Sequence, residues 1–173
     1  MKNLNLFSKI VLYIMVLSGV LWFGSYLSRL TLSYQLFKGQ TFSANDYISK
    51  ANLPGILLTL NNVLLLSAIC FLIFIITLIL FLIFSKISLK ENGWLFISTI
   101  IVLITMPFEV YLMSIDYKIY NIVNSTGYNP FDVLTLYAKR LSLFGSFPII
   151  ELLCYCSIIF FILFQPFKKN RIK

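Results

Sequence analysis

The chain has 173 residues, 60% of them hydrophobic and 12% charged, with a mean hydropathy of +0.92; an ordinary soluble domain is roughly a quarter charged, so this composition is that of an integral membrane protein. Fourteen Lys and Arg against six Asp and Glu give a formal net charge of +8. Histidine is absent, which excludes imidazole-held haem, histidine–zinc centres, non-haem iron triads and copper sites built from this chain alone, and no cofactor is expected.

Four apolar stretches follow in chain order, at about 10–28, 55–84, 94–115 and 147–165, each close to or above the roughly 20 residues that cross a hydrocarbon core. They predict an all-α fold: one integral membrane domain over 1–173, a four-span transmembrane helical bundle with outer loops at 29–54 and 116–146. In the first stretch, Lys2 and Lys9 ahead of the apolar run resemble the opening of a signal peptide. Trp22 fills the position three before a cut after Gly24, where a small side chain is required, so the segment reads as an uncleaved span. The same span carries Gly24 and Ser28 four apart and Ser18 and Ser25 seven apart, small residues that let another helix approach closely.

The second stretch would be about 45 Å long as one helix, so it tilts or projects beyond the bilayer. Thr59, Asn61 and Asn62 form a polar cluster at its outer end, suited to bonding across helices or to holding a substrate. From Phe71 to Phe84 it is apolar on every side, as expected of a helix with extensive lipid or partner contact.

The third and fourth stretches each hold one carboxylate, Glu109 two residues after Pro107 and Glu151 three after Pro148. The two are expected to face one another. A carboxyl group at such depth is protonated, paired with a cation or exposed to a water-filled cavity, and Lys139 or Arg140 are the candidate cations. Glu151 also lies in a first turn, where the helix dipole favours negative charge without any function. The cysteines, Cys70, Cys154 and Cys156, sit in apolar runs and read as packing groups; Cys154 and Cys156 are two apart, on different faces of a helix.

Both outer loops carry a helix-start pattern at an offset of 86 residues. Ser43 precedes Asp46 by three with Phe42 and Tyr47 flanking. Asn129 precedes Asp132 by three, with Pro130 at the first helical position and Tyr128 and Phe131 beside it. A side-chain oxygen at the cap and a carboxylate in the first turn both stabilise a helix beginning, so a short helix is expected in each loop, over about 43–51 and from 130 onward. In the second, Val133, Leu134, Tyr137 and Leu141 share a face with Lys139 and Arg140 beside it, as in a helix lying in the membrane interface. Tyr128, Val133, Tyr137, Lys139 and Arg140 are therefore the expected docking residues for a partner. The matching offsets suggest two parallel halves from an old duplication, against the alternative that common capping patterns coincide. Eight of the ten tyrosines fall in this outer half, most simply as an aromatic belt.

Four spans put both termini on one side. Eight cations and one acid (Lys2, Lys9, Lys86, Lys90, Lys168, Lys169, Arg171 and Lys173 with Glu91) lie there in short segments, against six cations and five acids spread over the other side. That asymmetry predicts cytoplasmic termini and attraction to anionic headgroups on the cytoplasmic side. Nucleic acid is not an expected partner, because the cations sit in short juxtamembrane segments with no domain to form a groove. An Ile-, Phe-, Asn- and Lys-rich composition with few alanines suggests an AT-rich gene and a bacterial inner membrane.

The chain lacks the outer-loop cysteine pair of disulfide-generating quinone oxidoreductases, the aspartate motifs of lipoprotein signal peptidases and the first-span glutamate of small multidrug exporters. In length, span number and terminal placement its layout resembles the immunity proteins that protect bacteria from pore-forming colicins, which implies a toxin-binding role as one alternative. No nucleophile, base or metal cluster converges. The expectation is a non-catalytic subunit or accessory factor of a membrane complex, not an enzyme. A small transporter or proton conduit using Glu109 and Glu151 is the other alternative.

Overall fold

The Asn5 side chain accepts from the backbone N–H of Ser8 at 2.9 Å and so caps the first helix, satisfying one of the donors a helix start leaves open. In the computed structural model, which describes residues 4–39, 42–143, 145 and 147–167, the elements run α1 (Leu6–Gln35), β1 (Phe37–Lys38), β2 (Ser43–Ala44), α2 (Leu53–Phe84), α3 (Gly93–Val123), α4 (Pro130–Ser142) and α5 (Phe147–Phe164). Lys2, Lys168, Lys169, Arg171 and Lys173, which weigh in the charge asymmetry, lie outside the described residues. Helices α1, α2, α3 and α5 are each long and apolar enough to cross a membrane; apart from the two-residue strands, the regular structure is helical.

Helices α1 and α3 run past their expected ends, to Gln35 and Val123. The expected ends fell beside a charged residue in each, Arg29 and Asp116. Both charged side chains turn out buried and ion-paired, so they interrupt the apolar run without ending the helix.

The chain divides into two compact units, Met1–Ser85 with Met113–Leu143, and Lys86–Leu112 with Phe144–Lys173. In the first, α1 and α2 form an antiparallel hairpin. The Ser8 hydroxyl donates to the Phe84 carbonyl at 3.1 Å, Trp22 lies against Phe71 and Phe74 with ring centroids 5.2 and 6.2 Å away, and Phe74 covers Gly19. The buried residues of α1 include Ser18, Trp22, Ser25 and Arg29, and those of α2 include Leu57, Leu60, Leu64, Ser67, Phe71, Leu78 and Phe81. Spacings of three and four make a heptad-like seam, the pattern by which two helices pack along their length. The Phe71–Phe84 run is thus one-sided in use: Phe71, Ile75, Leu78 and Phe81 are covered, while Leu72, Ile76, Ile79 and Ile83 face outward.

The first outer loop departs from expectation, because the helix over 43–51 is absent. Ser43 pairs with Lys38 and Ala44 with Phe37 in an antiparallel ribbon, and Asp46 forms an exposed ion pair with Lys38. The loop instead closes the end of α1. Asn45 donates its backbone N–H to the Leu36 carbonyl at 3.0 Å and its side-chain amide to that of Gln35 at 3.2 Å, and the Tyr47 hydroxyl donates to Gln35 at 2.7 Å. The carbonyls that a helix C-terminus leaves open outcompete the local cap. Without that helix, the parallel-halves reading loses its matching loop element.

The second loop does form a helix, α4. Asn129 accepts from the Phe131 N–H at 3.2 Å, and Pro130 and Asp132 occupy the first turn. Its apolar face is not laid open: Val133, Leu134, Tyr137 and Leu141 join Leu36, Leu53, Leu57, Leu60, Ile115 and Ile119 in one buried cluster.

In the second unit the first two-thirds of α3 run antiparallel to α5. Gly93 donates its N–H to the Phe167 carbonyl at 3.3 Å, Thr105 and Tyr155 join hydroxyls at 2.9 Å, and Phe108 meets Phe147 with centroids 4.4 Å apart. Along α3 the buried residues include Leu95, Ser98, Val102, Thr105, Glu109 and Leu112 in this unit and Asp116, Ile119 and Val123 in the first, in steps of three and four, with Trp94, Thr99 and Ile115 buried beside them. Pro107 is exposed.

Candidate functional site

Two buried polar clusters stand out, one in each unit. The first centres on Asp116. The α1 stripe that buries Trp22 and Ser25 continues to Arg29, the α3 stripe brings Asp116 inward, and Arg140 follows Tyr137 by three on the covered face of α4. Arg29 Nη1 lies 2.7 Å from Asp116 Oδ2 and Arg140 Nε 2.6 Å from Asp116 Oδ1, and all three side chains are at most 5% exposed. Such short charge-assisted bonds are roughly twice as strong as neutral ones, and they tie α1, α3 and α4 together through one carboxylate. Arg29 also sits over the Tyr26 ring at 5.7 Å, within the range of a cation–π contact. The Tyr137 hydroxyl is buried without a hydrogen-bond partner among the described residues. Burial pushes its phenol above the ordinary value, with the Asp116 charge adding to the shift and Arg29 and Arg140 opposing it.

The second cluster contains the two expected carboxyl groups. Glu109 is 1% and Glu151 0% exposed. The contacts of Gly93 with Phe167 and of Thr105 with Tyr155 fix a register in which Glu109 and Glu151 fall at the same level of the α3–α5 pair, and both lie close enough to the Tyr155 phenol to act on it electrostatically. The structure thus brings Glu109, Glu151, Thr105 and Tyr155 together.

The remaining expected residues are dispersed. Asn61 is buried with its Oδ1 atom unpartnered among the described residues, while Asn62 is exposed, so the two amides lie on different faces of α2. Val133 and Tyr137 are in the chain's own core, and Arg140 is committed to Asp116. The docking face expected on α4 is therefore used within the chain, because its apolar side chains cover the end of the α1–α2 hairpin; Lys139 is exposed and Tyr128 partly so. Among the small residues of α1, Ser18 and Ser25 are buried, whereas Gly24 and Ser28 point away. Cys70, Cys154 and Cys156 are free thiols, and no group of three or more metal-ligating side chains occurs among the described residues.

Sequence reasoning missed the Arg29–Asp116–Arg140 clasp, having counted all three as loop charges. The signal was present in the spacing: Asp116 follows Leu112 by four and Glu109 by seven, and Arg29 follows Ser25 by four and Trp22 by seven. No protein-family model, curated protein or solved structure matches the chain. What stands on its own residues is a membrane protein with four candidate spans.

Proposed function

We propose that the chain is a non-catalytic integral protein of a bacterial inner membrane, with cytoplasmic termini near anionic headgroups, acting as a small subunit or accessory factor through lateral helix packing. The observation that carries this reading is the outer face of α1. A side chain added at Gly24 would meet nothing within 4 Å, Ser28 beside it is exposed with its hydroxyl returned to the Gly24 carbonyl at 3.0 Å, and Thr31 likewise returns its hydroxyl to Leu27. The result is a shallow strip with its polar hydrogens satisfied, opposite the face that packs on α2. Small residues four apart on an exposed face are what lateral association in a bilayer uses, since close backbone approach, not hydrophobicity, drives it there. Mild-detergent purification of the tagged protein is expected to recover a stable membrane partner, and Gly24→Leu with Ser28→Leu to abolish that recovery while leaving the fold intact. Recovery only as a free monomer with function retained would refute it.

A second reading, a proton or cation conduit, is favoured by the convergence of Glu109 and Glu151 at Tyr155. Intramembrane carboxyl groups commonly mark such paths. It predicts a pH-dependent flux in liposomes that Glu109→Gln or Glu151→Gln removes; no flux, or flux indifferent to both substitutions, rejects it.

A further inference from the structure

A cavity of about 220 Å³ lies in the first unit at the loop end of the α1–α2 hairpin. Buried Leu36 and Leu60, with Ile56, line its interior, and the exposed residues Gln35, Tyr47 and Thr59 stand at its mouth. It is a built feature: the Tyr47 hydroxyl donates to the Gln35 carbonyl at 2.7 Å, and Asn45 holds the same turn through Gln35 and Leu36. Two of the hydroxyl donors at the mouth are spent on the backbone, that of Tyr47 on Gln35 and that of Thr59 on Gly55 at 3.0 Å. The pocket is open at the mouth and its interior is formed by Leu36, Ile56 and Leu60, so the occupant that fits is apolar. The volume is about seven times that of one water yet below the roughly 300 Å³ of a drug-sized pocket, which suits the end of a chain.

The charge beside it selects the kind of chain. Residues 42–52 hold one acid, Asp46, engaged with Lys38. Lys50 is exposed in the turn that joins Tyr47 to the first turn of α2. The Asn52 side-chain amide, at the head of α2, donates to the Tyr47 carbonyl at 2.7 Å, which holds the Lys50 turn beside Tyr47 at the mouth. We propose that this cavity seats an acyl chain of an anionic phospholipid whose phosphate lies by Lys50.

The test reconstitutes the full chain in vesicles of phosphatidylglycerol and phosphatidylcholine, with a trace of either lipid carrying a photoactivatable diazirine on its acyl chain, and maps adducts by mass spectrometry. Adducts are expected at Leu32, Ile56 and Leu60 several-fold above Leu58, which is 53% exposed two residues from Ile56 at the same depth but outside the lining. Phosphatidylglycerol should exceed phosphatidylcholine several-fold, and Lys50→Gln should erase that preference. Thr59→Trp, at an exposed position, should fill the mouth and remove the cavity adducts while leaving those at Leu58. Even labelling around α2, cavity adducts that survive Thr59→Trp, or equal yields from the two lipids would each overturn the proposal.

Discussion

Replacing Asp116 with asparagine keeps the shape of the side chain and removes its charge. In the native chain one carboxylate serves two guanidinium groups through bonds of 2.7 and 2.6 Å. With charge centres roughly 4 Å apart and an effective dielectric near 20, each attraction is worth about 4 kcal/mol before desolvation is subtracted. Removing the shared partner leaves two cations buried at once, and breaking a buried pair in this way costs about 3–5 kcal/mol. That corresponds to a fall of roughly two to four orders of magnitude in the folded-to-unfolded ratio. Unfolding by sodium dodecyl sulfate in mixed micelles, followed by circular dichroism, reads the change directly. Removing all three charges together, with Arg29→Met, Asp116→Leu and Arg140→Met, should restore most of the stability, because an apolar replacement of a whole buried ion cluster is commonly neutral or better. A loss below about 1 kcal/mol for Asp116→Asn, the range of exposed pairs, would refute the assignment of a buried clasp.

Other substitutions probe separate contacts. Gly19→Val should destabilise by about 1–3 kcal/mol through overpacking, since a Cβ there comes within 3.1 Å of the Phe74 ring, whereas Gly24→Leu should leave unfolding in micelles unchanged. Gly93→Ala places a Cβ 2.8 Å from that of Phe167 and should free the segment after α5, seen as faster proteolysis C-terminal to Phe164. Tyr137→Phe removes a buried hydroxyl with no hydrogen-bond partner among the described residues and should stabilise by about 1–3 kcal/mol. In the native chain the phenol pKa is raised by burial, so its titration leaves stability unchanged below the ordinary value near 10 and lowers it at higher pH, where folding would have to bury a phenolate; the phenylalanine variant should flatten that alkaline decline in a pH series of unfolding curves.

The spans were legible because stretches of 18 or more predominantly apolar residues with few charges have few alternatives to a membrane helix. Asn129 and Pro130 announced α4 correctly, since nothing else in the fold claims them. The Ser43 pattern failed for the converse reason: Asn45 and Tyr47 reach the open carbonyls of Gln35 and Leu36, a tertiary demand that no local window displays. The apolar face of α4 was visible, but not what it covers, because an amphipathic stripe looks the same whether it meets lipid or Leu57 and Ile119. The carboxyl groups Glu109 and Glu151 were singled out by their rarity inside apolar runs. Asp116 and Arg29 were overlooked because they stood at the ends of such runs, although their three-and-four spacing to buried neighbours marked them as interior.

The account rests on four membrane crossings with both ends on the cytoplasmic side. Reporter fusions at the N-terminus, after Lys50, after Lys90, after Gly127 and at the C-terminus test it most directly. It predicts cytoplasmic signals from both termini and Lys90 and external signals from Lys50 and Gly127. Termini on opposite faces, or Lys50 and Gly127 on different sides, would contradict it.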